Sequence, residues 1–200
     1  MWKKIIVVLA FFFSALLSGK EATRVLVVGD SLSAAYGIKE EQGWVSLLAR
    51  ELTQYQVINA SISGDTTAGG LARLPALLEK HKPKLLIIEL GGNDGLRGQP
   101  LNLSEDNLLQ MTQMGERAGA KVLLLGMKIP PNYGATYTTQ FEQMYVAVTK
   151  KTKAHLVPFF LEPVGLKLRY FQPDRIHPTA EAQALLLKHV LPAIQKSLKQ

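Results

Sequence analysis

Three short runs of unbroken apolar sequence, Val25-Leu26-Val27-Val28, Leu85-Leu86-Ile87-Ile88 and Val122-Leu123-Leu124-Leu125, limit the fold more than any other feature of this chain. None alternates with polar residues, so each reads as a strand buried on both faces, the pattern of a parallel sheet. Weaker strands are expected over residues 55–60 and 155–159. Apolar residues at helical spacing predict helices over 44–54, 71–80, 104–118, 141–150 and 179–198, with Ser104 as an N-cap and Gly119 just past a helix end. Strands alternating with helices predict an α/β fold, a three-layer α/β/α arrangement around a five-stranded parallel sheet. No internal repeat or linker interrupts the pattern, so residues 20–200 are expected to form one domain.

Other classes fall away on composition and on the N-terminus. Trp2-Lys3-Lys4 precedes an apolar run over residues 5–17 broken only by Ser14, which is short for a membrane span and suits a signal peptide. Residues 1–19 are therefore expected to direct export to the periplasm or the medium, with cleavage after Ser18 or Gly19; an uncleaved anchor is the alternative. The chain has no cysteine, which excludes disulfides, thiol catalysis, cysteine-ligated zinc and a lipoprotein anchor. The net charge is +7, but its lysines gather at the ends and in Lys150-Lys151-Thr152-Lys153 with few aromatics interleaved. That pattern points away from nucleic acid and toward a solvated basic face, with at most transient contact with an anionic membrane surface. His81, His155 and His189 have no partners at metal-ligand spacing, so neither a metal nor a cofactor is expected.

In an open parallel sheet, ligands sit at the carboxyl ends of the strands. The glycine-rich and otherwise polar segments fall there: Gly29-Asp30-Ser31-Leu32-Ser33 after the first strand, Ser61-Ile62-Ser63-Gly64-Asp65-Thr66 after the second, Gly91-Gly92-Asn93-Asp94-Gly95 after the third, and Pro173-Asp174-Arg175-Ile176-His177-Pro178 near the end. Taken singly, each has an ordinary structural use. Asp30 or Ser31 can cap a helix, Asp65 and Asp94 can form turns by local bonding, and Asp-x-x-His can be a surface pair. Together they supply every part of acyl transfer by a serine. Ser31 is the expected nucleophile, His177 its base, and Asp174 the group that orients the imidazole. The N–H of Ser31, the N–H of Gly64 and the side-chain amide of Asn93 are the expected oxyanion donors. Gly29 is expected to relieve crowding at the bend. Loops 96–101 and 129–134 are placed to line a shallow apolar groove, with Leu96, Gln99, Pro100, Ile129, Pro130 and Tyr133 as substrate-binding residues.

Gly29-Asp30-Ser31-Leu32, the loop glycine Gly64, Gly92-Asn93-Asp94 and Asp174-x-x-His177 resemble, in order and across nearly the whole chain after residue 19, the four blocks of the SGNH (GDSL) hydrolase family. The longer strings around Ser31, Gly64 and Asn93 are similar to one branch of it, exported enzymes with thioesterase, arylesterase and lysophospholipase activities. The resemblance implies the same roles for Ser31, His177, Asp174, Gly64 and Asn93, a flavodoxin-like strand order 2-1-3-4-5, and a monomer without cofactor. It further implies a serine hydrolase acting on small-molecule acyl esters, thioesters or lysophospholipids through an acyl-Ser31. Gln99 and Met127-Lys128-Ile129 depart from the family's usual residues, and both border the expected groove. An acetylesterase of carbohydrate or small esters on the same fold, or a non-catalytic exported lipid-binding protein, are the alternatives.

Overall fold

The computed structural model describes residues 23–199. The expected signal peptide and its cleavage site lie outside the described residues. Five parallel strands form one sheet: β1 (Thr23–Gly29), β2 (Tyr55–Asn59), β3 (Leu85–Glu89), β4 (Lys121–Leu125) and β5 (His155–Val157), in the order β2-β1-β3-β4-β5. The three unbroken apolar runs supply its centre. Val25–Val28 are 0% exposed and Leu85–Ile88 at most 1%, because helices cover both faces. The edge strand β2 carries Gln56 and Asn59 and is only partly buried, which explains its weaker apolar signature.

On one face α1 (Trp44–Glu51) packs against α6 (Ala180–Lys199). On the other, α2 (Thr67–His81), α4 (Leu101–Arg117) and α5 (Ala135–Lys150) pack side by side. Gly119 has φ +84° just beyond the end of α4, as expected of a residue that stops a helix.

Two expectations are corrected. Ser104 does not cap α4, which starts at Leu101 after Pro100; Ser104 sits inside the helix, where its hydroxyl donates to Asp94 Oδ1 at 3.1 Å. Nor is Asp94 a local turn former. It lies in a short helix α3 (Gly92–Leu96), is 1% exposed, and also accepts from the backbone N–H of Thr67 at 3.0 Å. Asp94 thereby ties the starts of α2, α3 and α4 together beneath the rim. The helix α2 begins four residues before the expected position because Thr66, whose hydroxyl accepts from Gly69 N–H, caps it.

Every strand is parallel to its neighbours, so Gly29, Asn59, Glu89, Leu125 and Val157 all end on one rim of the sheet.

Candidate active site

Ser31 is the second residue after β1, and its Oγ lies 2.8 Å from His177 Nε2 although 146 residues separate them. The other ring nitrogen, Nδ1, is 2.7 Å from Asp174 Oδ2. Asp174 is itself fixed: its Oδ1 accepts from the backbone N–H groups of Ile176 (2.9 Å) and His177 (3.0 Å). Backbone donation from His177, with the imidazole next, holds this carboxyl down at about 2. A depressed carboxylate keeps its contribution above its ordinary range and loses it only as pH falls through about 2. An ionised Asp174 can only accept, so Nδ1 carries a proton and Nε2 presents its lone pair to the Ser31 hydroxyl. The ring of Tyr36 covers the imidazole at a centroid distance of 4.4 Å.

The bend that presents Ser31 rests on buried polar groups whose roles the sequence did not signal. A Cβ on Gly29 would stand 2.8 Å from both Glu89 Oε2 and Ser33 Oγ, so only glycine lets these two meet behind the turn. Trp44 Nε1 can only donate, and does so to Ser33 Oγ at 3.2 Å. The Ser33 hydroxyl proton must then go to Glu89 Oε2, 2.8 Å away. Indole, hydroxyl and carboxyl form a directed chain from α1 to the end of β3. Beside it, Asp30 is 2% exposed; its Oδ1 accepts from Leu32 N–H and its Oδ2 from the Asn93 amide.

Burial raises Asp30 to about 6, and burial with the adjacent Asp30 carboxyl raises Glu89 well above the carboxylate range. Raised carboxyls favour folding in acid, and that contribution fades as pH climbs past the folded values. Glu89→Gln keeps the carbonyl oxygen facing Ser33 and removes the titration. It is expected to melt higher than the unsubstituted protein at pH 8, with the gap closing toward pH 4. Each kcal/mol of difference corresponds to roughly 2–4 °C for a chain of this size. Melting curves across that range check it, and a gap that widens in acid refutes it.

Two loops bring the remaining groups to the rim. Gly64 has φ +79°, a conformation that favours glycine, and its N–H makes no hydrogen bond to protein among the described residues; the same holds for Ser31 N–H. Arg73 fixes this loop by donating to Asp65 Oδ2 (2.8 Å) and to the carbonyl of Ala60, and by an ion pair of 2.7 Å with Asp65. Asn93 Nδ2 donates to Asp30 Oδ2 at 3.0 Å and to the Asp65 carbonyl at 2.9 Å. The amide thus braces the bend that carries Ser31 against the loop that carries Gly64.

The expected groove residues differ in exposure. Tyr133 donates to the Leu96 carbonyl at 2.7 Å and Tyr137 to that of Gln99 at 2.8 Å, which fastens the end of α3 and the loop after it to the loop after β4 and the first turn of α5. Pro100, Pro130 and Tyr133 are exposed, and Leu96 and Gln99 half-buried. Ile129 is not a surface groove residue; at 8% exposure it belongs to the core, against the face that Gly95 leaves bare beside Phe141. A cavity of about 620 Å³ opens between α4 and α5, lined in part by Pro100, Leu101, Tyr137 and Met144. None of Ser31, His177 and Asp174 borders it, so it is no substitute for the site their geometry defines.

His155 and His189 serve packing, the first bonded to Ser197 Oγ at 2.8 Å and the second to the Phe159 carbonyl at 3.0 Å.

A hydroxyl, an imidazole and an ionised carboxylate in series can activate an oxygen nucleophile without any added group. Against known proteins, residues 27–185 match the model of the GDSL-like Lipase/Acylhydrolase family. Esterase TesA of Pseudomonas aeruginosa is 54% identical over 181 residues, covering 88% of this chain and 90% of that protein. Thioesterase 1/protease 1/lysophospholipase L1 of Escherichia coli is 43% identical over 181 residues, covering 89% and 87%. Among solved structures, the psychrotrophic esterase EstA from Pseudoalteromonas sp., inhibited by monoethylphosphonate, superimposes with a TM-score of 0.85 at 40% identity, over 89% of this chain and all of that one.

Proposed function

The chain belongs to the GDSL-like lipase/acylhydrolase family, and from that premise we propose that it is a serine hydrolase cleaving acyl esters and thioesters through an acyl-Ser31 intermediate. The observation that carries this reading is the 2.8 Å approach of Ser31 Oγ to an imidazole whose far nitrogen is already engaged by Asp174. His177 takes the hydroxyl proton as Oγ attacks the carbonyl carbon. It returns that proton to the departing alcohol or thiol, then removes one from water so that hydroxide attacks the acyl carbon; as the bond from Oγ to the acyl group breaks and the acid leaves, His177 hands the proton back to Ser31 Oγ. Asp174 keeps the reactive tautomer in place and stabilises the imidazolium.

The oxyanion is received by the N–H groups of Ser31 and Gly64 and by the Asn93 amide, one of whose protons turns from its present acceptor to the substrate oxygen. Leu96, Gln99, Pro100, Pro130 and Tyr133 border the acyl chain. Of the activities that the relatives' names carry, hydrolysis of lysophospholipids and other lipid esters suits a chain exported by residues 1–19, since acyl-CoA belongs to the cell interior. The enzyme works without cofactor, as a monomer, on small-molecule esters, with membrane contact no more than transient.

A fluorophosphonate is expected to add one adduct mass per chain, mapped to Ser31. Rates over a series of p-nitrophenyl esters should rise from acetyl to medium chains. A protein that holds fatty acid tightly but takes no label would be a binding protein, and turnover confined to acetyl esters would mark an acetylesterase.

A further inference from the structure

The segment that ends in His177 carries the two most exposed leucines among the described residues. Between the buried residues Val164 and Tyr170, residues 165–169 are all exposed, with Leu166 fully so and Leu168 at 69%. A second exposed stretch, 173–176, adds Ile176 at 47%. The two stretches hang on one strap. Phe171 bridges Pro178, Thr179 N–H donates to the Tyr170 carbonyl, and Gln172 N–H donates to the His177 carbonyl. The strap also reaches the half-exposed Tyr36, whose carbonyl accepts from the Gln172 side chain. One fully exposed leucine and a second largely exposed two residues on, beside a site of chemistry, are unusual on a water-facing surface and mark a place of contact.

Charge says what kind of contact. Residues 164–178 contain Lys167, Arg169 and Arg175 against one carboxylate, Asp174, whose oxygens are already taken by Ile176, His177 and the imidazole. Lys167 Nζ bonds the Pro163 carbonyl and lies 6.0 Å from the Tyr170 ring, while Arg169 bonds the Tyr170 hydroxyl with its guanidinium 4.7 Å from that ring. None of the three cations is in an ion pair with a carboxylate among the described residues. Protruding leucines between unneutralised cations fit a surface that is anionic outside and apolar beneath. A peptide partner could accept the leucines but gives no reason for three unpaired cations beside them.

The geometry points to residues 165–176 as a reversible interfacial anchor that transiently docks the protein on an anionic phospholipid bilayer, Leu166 and Leu168 entering the headgroup boundary while Lys167, Arg169 and Arg175 meet phosphates. This rests on the ester-hydrolase reading only in its consequence: His177 is one residue past the strap, so docking holds the catalytic rim against the lipid that supplies the ester.

The absence of cysteine allows one reporter at a time. Leu166→Cys, labelled with an environment-sensitive fluorophore, is compared with Lys84→Cys, which lies at the opposite rim, just before β3. With vesicles of phosphatidylethanolamine and phosphatidylglycerol, emission from position 166 is expected to shift to the blue, and that from position 84 to stay unchanged. Phosphatidylcholine vesicles or raised salt should abolish most of the shift. Because a basic residue beside an anionic surface is worth about a five-fold change in partition, Lys167→Glu on the labelled protein should weaken vesicle affinity by roughly 5- to 25-fold. No shift at 166, an equal shift at 84, or unchanged affinity in Lys167→Glu overturns the proposal. The local reporter also separates this contact from any membrane affinity of residues 1–19. Turnover of a soluble short-chain ester, measured on the same samples, should be unchanged throughout; if it is absent while vesicle binding behaves as expected, the hydrolase reading fails and the anchor stands.

Discussion

Ser31→Ala is expected to lower kcat on a chromogenic ester by several orders of magnitude, on the order of 10⁶ where the hydroxyl is the nucleophile of a working triad. The substitution removes one exchangeable contact, the 2.8 Å bond to His177 Nε2, from a half-buried position on the rim. Folding should therefore hardly notice, and the melting temperature should move by no more than a surface substitution moves it, within about 0.5 kcal/mol. The pairing of a collapsed rate with an unmoved melting curve is what separates a chemical role from a structural one. Members of a triad act as a unit, so Ser31→Ala combined with His177→Ala should be scarcely slower than Ser31→Ala alone. Steady-state rates on single and double variants, with fluorophosphonate labelling as a check for residual nucleophile, decide the matter. Retention of more than about a tenth of the original rate in Ser31→Ala would remove residue 31 from the nucleophile's place.

Much of this arrangement is legible before any coordinates because it depends on short-range signals. An apolar run of four residues without alternation can be buried on both faces only inside a covered sheet, so Val25–Val28 and Leu85–Ile88 declare the centre of the fold. A parallel sheet then sends every strand-end loop to one rim, which is why Ser31, Gly64 and Asn93 could be grouped there from the sequence. The strand order is a different matter. Alternation of strands and helices permits several orders, and only the resemblance to a family supplied the observed β2-β1-β3-β4-β5.

What escaped the sequence is long-range and polar. Asp94 looks like a turn residue in Gly-Asn-Asp-Gly, yet its acceptors serve Thr67 and Ser104 on other helices. Ser104 looks like an N-cap because serine before an apolar helical run ordinarily is one; Pro100 had already set the start of the helix. Glu89, at the end of an apolar run, gives no hint that it is fully buried and receives Ser33, since nothing local shows that Gly29 stands opposite it. One clue existed: a glutamate ending a run buried on both faces, paired with a glycine in the neighbouring strand, has no route to water. Ile129 misled for the reverse reason. It adjoins an exposed proline pair, but Gly95 lacks the side chain that would otherwise fill the space Ile129 enters.

Asn93→Ala should separate binding from chemistry at this rim. A lost oxyanion donor costs about 10²–10³ in kcat, roughly 3–4 kcal/mol, because the donor is aimed at charge that develops only in the transition state. KM should change little, since the ground-state carbonyl makes weak use of the amide. The same amide also supplies Asp30 Oδ2 and the Asp65 carbonyl, so its removal deprives two further groups of a donor. Those losses act on the loop that carries Gly64 and on the bend that carries Ser31. A displaced nucleophile would add to the rate loss, and the melting curve distinguishes the two. If Asn93 acts only on the oxyanion, Asn93→Ala slows labelling and ester turnover together but leaves the bend intact, and the melting temperature falls by no more than the loss of ordinary hydrogen bonds, about 1 kcal/mol each. Asn93→Asp is the complementary probe. It retains the shape but sets a carboxyl against the raised Asp30, so it should lose as much kcat as alanine and melt lower than alanine at pH 8, with that deficit shrinking in acid as the carboxyls take up protons. A loss confined to KM in Asn93→Ala would take the amide out of the oxyanion hole and leave it as the brace between Asp30 and the Gly64 loop.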